Sequence, residues 1–141
     1  MVTTGDPDIE GVDLAGLRSY LDQTAVVFAL LFGSHARGTA TASSDVDLAL
    51  RFPDDLDARE RFRHRKRIGA DVQAYADGFV DVSDLDELPT PIAYAALRDR
   101  ISLLGDEADI DAYRAAVRRA YEETRDDRER ERRAFIDRLA R

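Results

Sequence analysis

The stretch that decides the fold begins with the apolar run Ala25-Val26-Val27-Phe28-Ala29-Leu30-Leu31-Phe32. It continues through Gly33-Ser34, ten intervening residues, and Asp45-Val46-Asp47-Leu48-Ala49-Leu50-Arg51. The run is far shorter than the ~20 apolar residues of a membrane span. It predicts a strand covered on both faces. Gly33-Ser34 ends that strand, with Ser34 expected as the N-cap of a short helix through Arg37. Gly38 to Ser44 reads as a turn. From Asp45 the pattern alternates, so Val46, Leu48 and Leu50 share one face of a second strand and Asp45 and Asp47 the other.

Before this stretch, Leu14, Leu17 and Leu21 fall at helical spacing and predict an amphipathic helix over 10–22. Pro53-Asp54-Asp55 opens a helical stretch to about residue 76, with an interruption expected at Gly69. Phe79 to Ser83 reads as a third strand. Pro89 and Pro91 precede a helix near 92–99, Ile101 to Leu104 forms a fourth strand, and a long helix from about 108 to 139 closes the chain. There is no internal repeat and no long linker. The expectation is one domain over 1–141, with a core at about 10–105. Its class is α+β (α/β-like), with a small mixed sheet flanked by helices.

Composition removes several functions. With no cysteine among 141 residues, disulfides, thiolate metal sites and cysteine nucleophiles are excluded. Acidic residues number 29 against 21 basic, a formal net charge of −8, which disfavours sequence-independent binding to nucleic acid. Residues 1–6 lack the basic-then-apolar layout of a signal peptide. A soluble cytoplasmic protein with no membrane partner is expected.

The chemistry sits around the two turns. Asp45 and Asp47, two apart on a strand, project side by side, and paired carboxylates raise each other's pKa unless a cation neutralises them. Mg²⁺, a hard cation taking oxygen ligands, suits such a pair, although two solvated acids on an edge strand would look the same. Gly33-Ser34 adds a second signal. It stands where a buried strand turns into a helix, with backbone N–H groups and a serine hydroxyl available to phosphate. It is not a Walker A loop, since no Gly-Lys-Ser/Thr follows. A third carboxylate follows from strand periodicity: Val80 and Val82 share one face, Asp81 lies on the other, and Asp84 reads as a turn or cap residue.

Together, Gly33-Ser34-His35-Ala36-Arg37-Gly38, Ser44-Asp45-Val46-Asp47-Leu48 and Val80-Asp81-Val82 resemble the nucleotidyltransferase superfamily of the polymerase-beta type. The short chain and the ten-residue gap are similar to the minimal nucleotidyltransferases (MNT antitoxins) paired with HEPN-domain proteins. The resemblance implies that Asp45, Asp47 and Asp81 are catalytic and hold Mg²⁺, two ions in all, with Asp81 assisting deprotonation of the attacking hydroxyl. Gly33 and Ser34 would anchor the triphosphate, joined by Arg37, whereas His35 reads as a solvent-facing helix residue. The implied reaction is in-line transfer of AMP from ATP, with pyrophosphate leaving. Its acceptor would be a hydroxyl, expected on a tyrosine, of a HEPN ribonuclease toxin that is thereby neutralised. Two alternatives are a non-catalytic antitoxin acting by occlusion and a small-molecule nucleotidyltransferase.

Two charged stretches remain. Arg59 to Arg67 is basic inside an acidic chain, with Arg59, Arg63 and Arg67 on one helical face. It reads as a solvated face or as a surface for an acidic partner or RNA. Glu122 to Arg133 mixes signs, with Asp126–Arg130 and Glu129–Arg133 at i,i+4 spacing, and predicts an exposed helix. Ile110, Tyr113, Val117 and Tyr121 should pack the first half of the closing helix on the core. Phe135, Ile136 and Leu139 then stand isolated, so residues 134–141 are expected to dock on the HEPN partner or a second copy.

Overall fold

The computed structural model describes residues 9–41 and 44–140. The reading of residues 1–6, and the part of the expected 38–44 turn at residues 42 and 43, lie outside the described residues. Four strands form a mixed sheet: β1 (Phe28–Phe32), β2 (Val46–Arg51), β3 (Val80–Asp84) and β4 (Ile101–Leu104), in the order β3-β2-β1-β4. β1 pairs antiparallel with β2 and with β4, while β2 and β3 run parallel. β1 is buried on both faces, as its continuous apolar run requires; it starts at Phe28, and Val27 before it is exposed.

Two helices cover one face of the sheet. α1 (Leu14–Asp22) is capped by Asp13, whose carboxylate accepts from the Gly16 N–H, and it buries Leu14, Leu17 and Leu21. α3 (Ala58–Asp71) starts in a capping box between Asp57 and Glu60 and contributes Ile68. These side chains pack on Val46, Leu48 and Leu50 of β2 and on Val80 and Val82 of β3. On the opposite face, α4 (Thr90–Asp99) and α5 (Glu107–Glu123) bring Ala93, Ala96, Leu97 and Ile110 against Phe28, Leu30 and Ala49. The result is helix, sheet, helix in three layers.

Several expectations need correction. α1 starts at Leu14 rather than residue 10, since Val12 bridges to Ala76 and Asp13 caps the helix, and α3 starts at Ala58, after its Asp57 cap, rather than at Pro53. α3 passes through Gly69 without interruption and ends in a 3₁₀ turn over Val72–Tyr75. One glycine costs a helix only about 1 kcal/mol, and this one packs close to Val82, 4.0 Å from where a Cβ would stand. The single-turn helix α2 (Ser34–Arg37) takes Gly33, not Ser34, as its N-cap. Finally, the closing helix is two helices: α5 ends at Glu123 and α6 spans Arg125–Leu139. The Thr124 hydroxyl donates back to the carbonyls of Ala120 and Tyr121, a side-chain bond that competes with the helical ladder and bends it. The first half packs as expected, with Ile110 buried, Tyr113 and Val117 against the same core, and Tyr121 stacked on Tyr94 at 4.8 Å. α6 buries none of its residues, and no helix among the described residues is long and apolar enough to cross a membrane.

Candidate active site

The site stands at the end of the sheet where β1 leaves and β2 and β3 enter. Asp47 lies opposite Phe32 of β1 and directly beside Asp81 of β3 in the parallel ladder. Since side chains at paired positions share a face, the two carboxylates project together on the face opposite Val46, Leu48, Val80 and Val82. Asp45 precedes β2 and joins them. Asp47 is half-buried, and its carboxyl is pushed above the usual range, first by desolvation and then by the charges of Asp81 and Asp45, against the opposing pull of His35 and Arg37. The electrostatics therefore couple Asp45, Asp47, Asp81 and Arg37 in one place.

Gly33 is held there by geometry. Its φ of 75° lies in the left-handed region, and a Cβ added to it would stand 2.2 Å from Asp47 Oδ2. The glycine thus admits the Asp47 carboxylate against the backbone that opens α2. Ser34 becomes the first residue of α2, and its N-cap Gly33 has no side chain to bond the turn, so no cap side chain takes up the first N–H groups. Arg37 at the other end of the turn is exposed. His35 does more than face solvent: its Nε2 lies 3.3 Å from the Ser44 carbonyl and ties α2 to the residue before Asp45. A histidine between a Gly-Ser turn and an Asp-x-Asp strand gave no sequence signal for that bond, which joins residues nine apart across a loop.

Asp84 belongs elsewhere. It ends β3 on the valine face, 3% exposed, accepts from the Asp86 N–H and meets Arg61 Nε at 3.2 Å. Burial raises its carboxyl above the usual range. It is the cap expected from periodicity, not a neighbour of Asp47.

Among the described residues no group of three acidic or histidine side chains is already gathered tightly enough to enclose a metal ion. The donor set nonetheless suits a hard divalent cation. Its donors are carboxylate oxygens, no thiolate exists in the chain, and both the desolvation and the neighbouring charges that lift Asp47 are penalties a cation would relieve.

A family model described as polymerase beta, nucleotidyltransferase matches residues 16–109, more than half of the chain and all of the site. The chain belongs to that family. Among solved structures, it is similar to a chain of a toxin–antitoxin complex with AMP-PNP, at 23% identity over 91% of this chain and 97% of that one, with a TM-score of 0.63. It is also similar to a chain of the complex between tri-AMPylated Shewanella oneidensis HEPN toxin and MNT antitoxin. That likeness has 19% identity, covers 91% and 99% of the two chains, and has a TM-score of 0.58. A chain of the MntA-HepT toxin–antitoxin complex gives 20% identity, 90% and 99% coverage and a TM-score of 0.57. At these identities the likeness is one of fold. A comparison with curated protein sequences finds no match.

Proposed function

We propose that this chain is an MNT-type antitoxin: a Mg²⁺-dependent nucleotidyltransferase that moves AMP from ATP onto a hydroxyl, that of a tyrosine, of a cognate HEPN toxin. The observation that carries the reading is the register pair of Asp47 with Asp81, placed against Gly33 and the Ser34 turn. The fold-level likeness to complexes of MNT antitoxin with HEPN toxin, one of them tri-AMPylated, supplies the acceptor class.

In this reading Ser34 Oγ and the first N–H groups of α2 bind the triphosphate, and Arg37 balances its charge. Asp81 takes the proton from the acceptor hydroxyl at its carboxylate oxygen, because it stands on the outer side of Asp47, toward solvent. Asp45, Asp47 and Asp81 would hold Mg²⁺, as two ions, which when bound neutralises phosphate charge. Neutralisation by occlusion gains support from the exposed apolar cluster on α6. The two readings separate in a growth assay with the toxin expressed. The double variant Asp45→Asn plus Asp47→Asn should lose protection; protection equal to that of the unaltered chain would assign neutralisation to occlusion.

A further inference from the structure

β3 is an edge strand, and its free side adjoins the candidate site. In a parallel ladder the backbone groups of alternate residues point to opposite sides. The Val46 N–H donates to the Phe79 carbonyl, so the odd positions of β3 face β2 and the even positions, Val80, Val82 and Asp84, face outward. Val80 is already satisfied: the Gln73 side chain donates to its carbonyl at 2.8 Å and accepts from its N–H at 3.0 Å, as a neighbouring strand would. Asp84 turns into the following 3₁₀ helix. Val82 is left as the position at which the edge offers a donor and an acceptor to an incoming chain.

The ground around Val82 is concave. Two grooves, each of about 240 Å³, meet there; Asp81, Val82 and Arg65 line both. Lys66 and the exposed Phe79 also line one of them, and Asp84 and Glu87 the other, so the basic charge is concentrated on the helical side. The helical wall is basic in an acidic molecule: Arg59, Arg61, Arg63, Arg65, Lys66 and Arg67 follow one another with Glu60 as the one acid among them. On it Phe62 is exposed, with the Arg65 guanidinium 5.3 Å and the Lys66 ammonium 5.8 Å from its ring centroid. Exposed aromatic and arginine side chains together are residue types enriched where proteins bind other proteins.

We propose that the outer edge of β3 is the docking site for an extended, acidic segment of the acceptor polypeptide, added as a further strand beside Val82. The inference rests on the transferase reading and names how its protein substrate is held. A strand laid there continues the row Asp47, Asp81 by one position, about 4.8 Å further. A side chain at that position, on the same face, stands next to the Asp81 carboxylate, where an acceptor hydroxyl has to be. Arg65 and Lys66 supply the complementary charge. An RNA strand would use the basic wall but not the Val82 N–H and C=O.

Amide hydrogen exchange on the full chain, alone and mixed with the purified cognate HEPN protein, tests the proposal when read with intact mass under Mg²⁺ and ATP. The Val82 amide should exchange at least tenfold more slowly in the complex. The variant Arg65→Glu with Lys66→Glu, at positions outside the core, should raise the KM for the acceptor at least tenfold. Unchanged Val82 exchange overturns the edge proposal whether or not AMP is transferred, including the case where only RNA binding depends on Arg65 and Lys66. Val82 protection without any transferred mass keeps the edge as a docking site and overturns the transferase reading instead.

Discussion

Gly33 shows how much of the site hangs on single positions. Its left-handed backbone and the contact a Cβ would make with Asp47 act together, so Gly33→Ala should cost about 1–3 kcal/mol of stability. It should also displace the Asp47 carboxylate; urea unfolding that registers no loss would contradict this packing. Asp81→Asn should abolish transfer and Asp84→Asn reduce it only mildly, as measured by the rate of AMP incorporation. The reverse ranking would show that the carboxylate beside Asp47 is not the one that works. Asp84 also has a pH signature. Burial raises its pKa in the folded chain, so the folded state binds a proton more readily than the unfolded one. Its charge therefore weighs against the fold above the raised pKa, and that penalty disappears as pH falls through it. Relative to Asp84→Asn, the unaltered chain should gain stability on acidification from neutral pH, read from melting temperatures in a pH series; a widening deficit would refute the assignment.

Among the elements, β1 was legible as a continuous apolar run, β2 by strict alternation and the body of α1 by its leucines at helical spacing, while the start of α1 was placed four residues early. The split at Thr124 was not legible, because the residues around it are charged on all sides and no apolar stripe registers a change of direction. The pairing of Asp47 with Asp81 was half legible. Period two put Asp81 on the face opposite the valines, but which residue of β2 it meets depends on the parallel register, which residues 34 apart in sequence cannot announce. Of the two charge pairs expected in α6, Glu129 meets Arg133 at 3.3 Å, while Arg130 turns to Asp127 at 2.7 Å. α6 leaves Phe135 54%, Ile136 47% and Leu139 70% exposed, forgoing burial that is worth ~1.5–3 kcal/mol for each side chain fully covered. Truncation after Arg133 should leave the melting temperature of the isolated chain nearly unchanged while weakening capture of the HEPN partner in a pull-down. Loss of the fold on truncation would place this segment in the chain's own core.

Across the whole molecule, the three layers separate stability from chemistry. α1 and α3 bury the valine and leucine face of the sheet, and α4 and α5 bury the other face beside Ala49. The aspartates are left at the sheet's end, where burial penalises the Asp47 charge and its neighbours add to that penalty. A fold that retains such a group of mutually repelling charges is suited to receive a compensating cation and its phosphates. The most direct measurement of this account is the intact mass of the HEPN protein after co-expression with the unaltered chain and with Asp47→Asn, followed by incubation with ATP and Mg²⁺. Adenylyl increments on the HEPN protein with the unaltered chain, and none with the variant, are the predicted result. Toxin neutralised by the unaltered chain with no added mass, or equal increments with the variant, would contradict it.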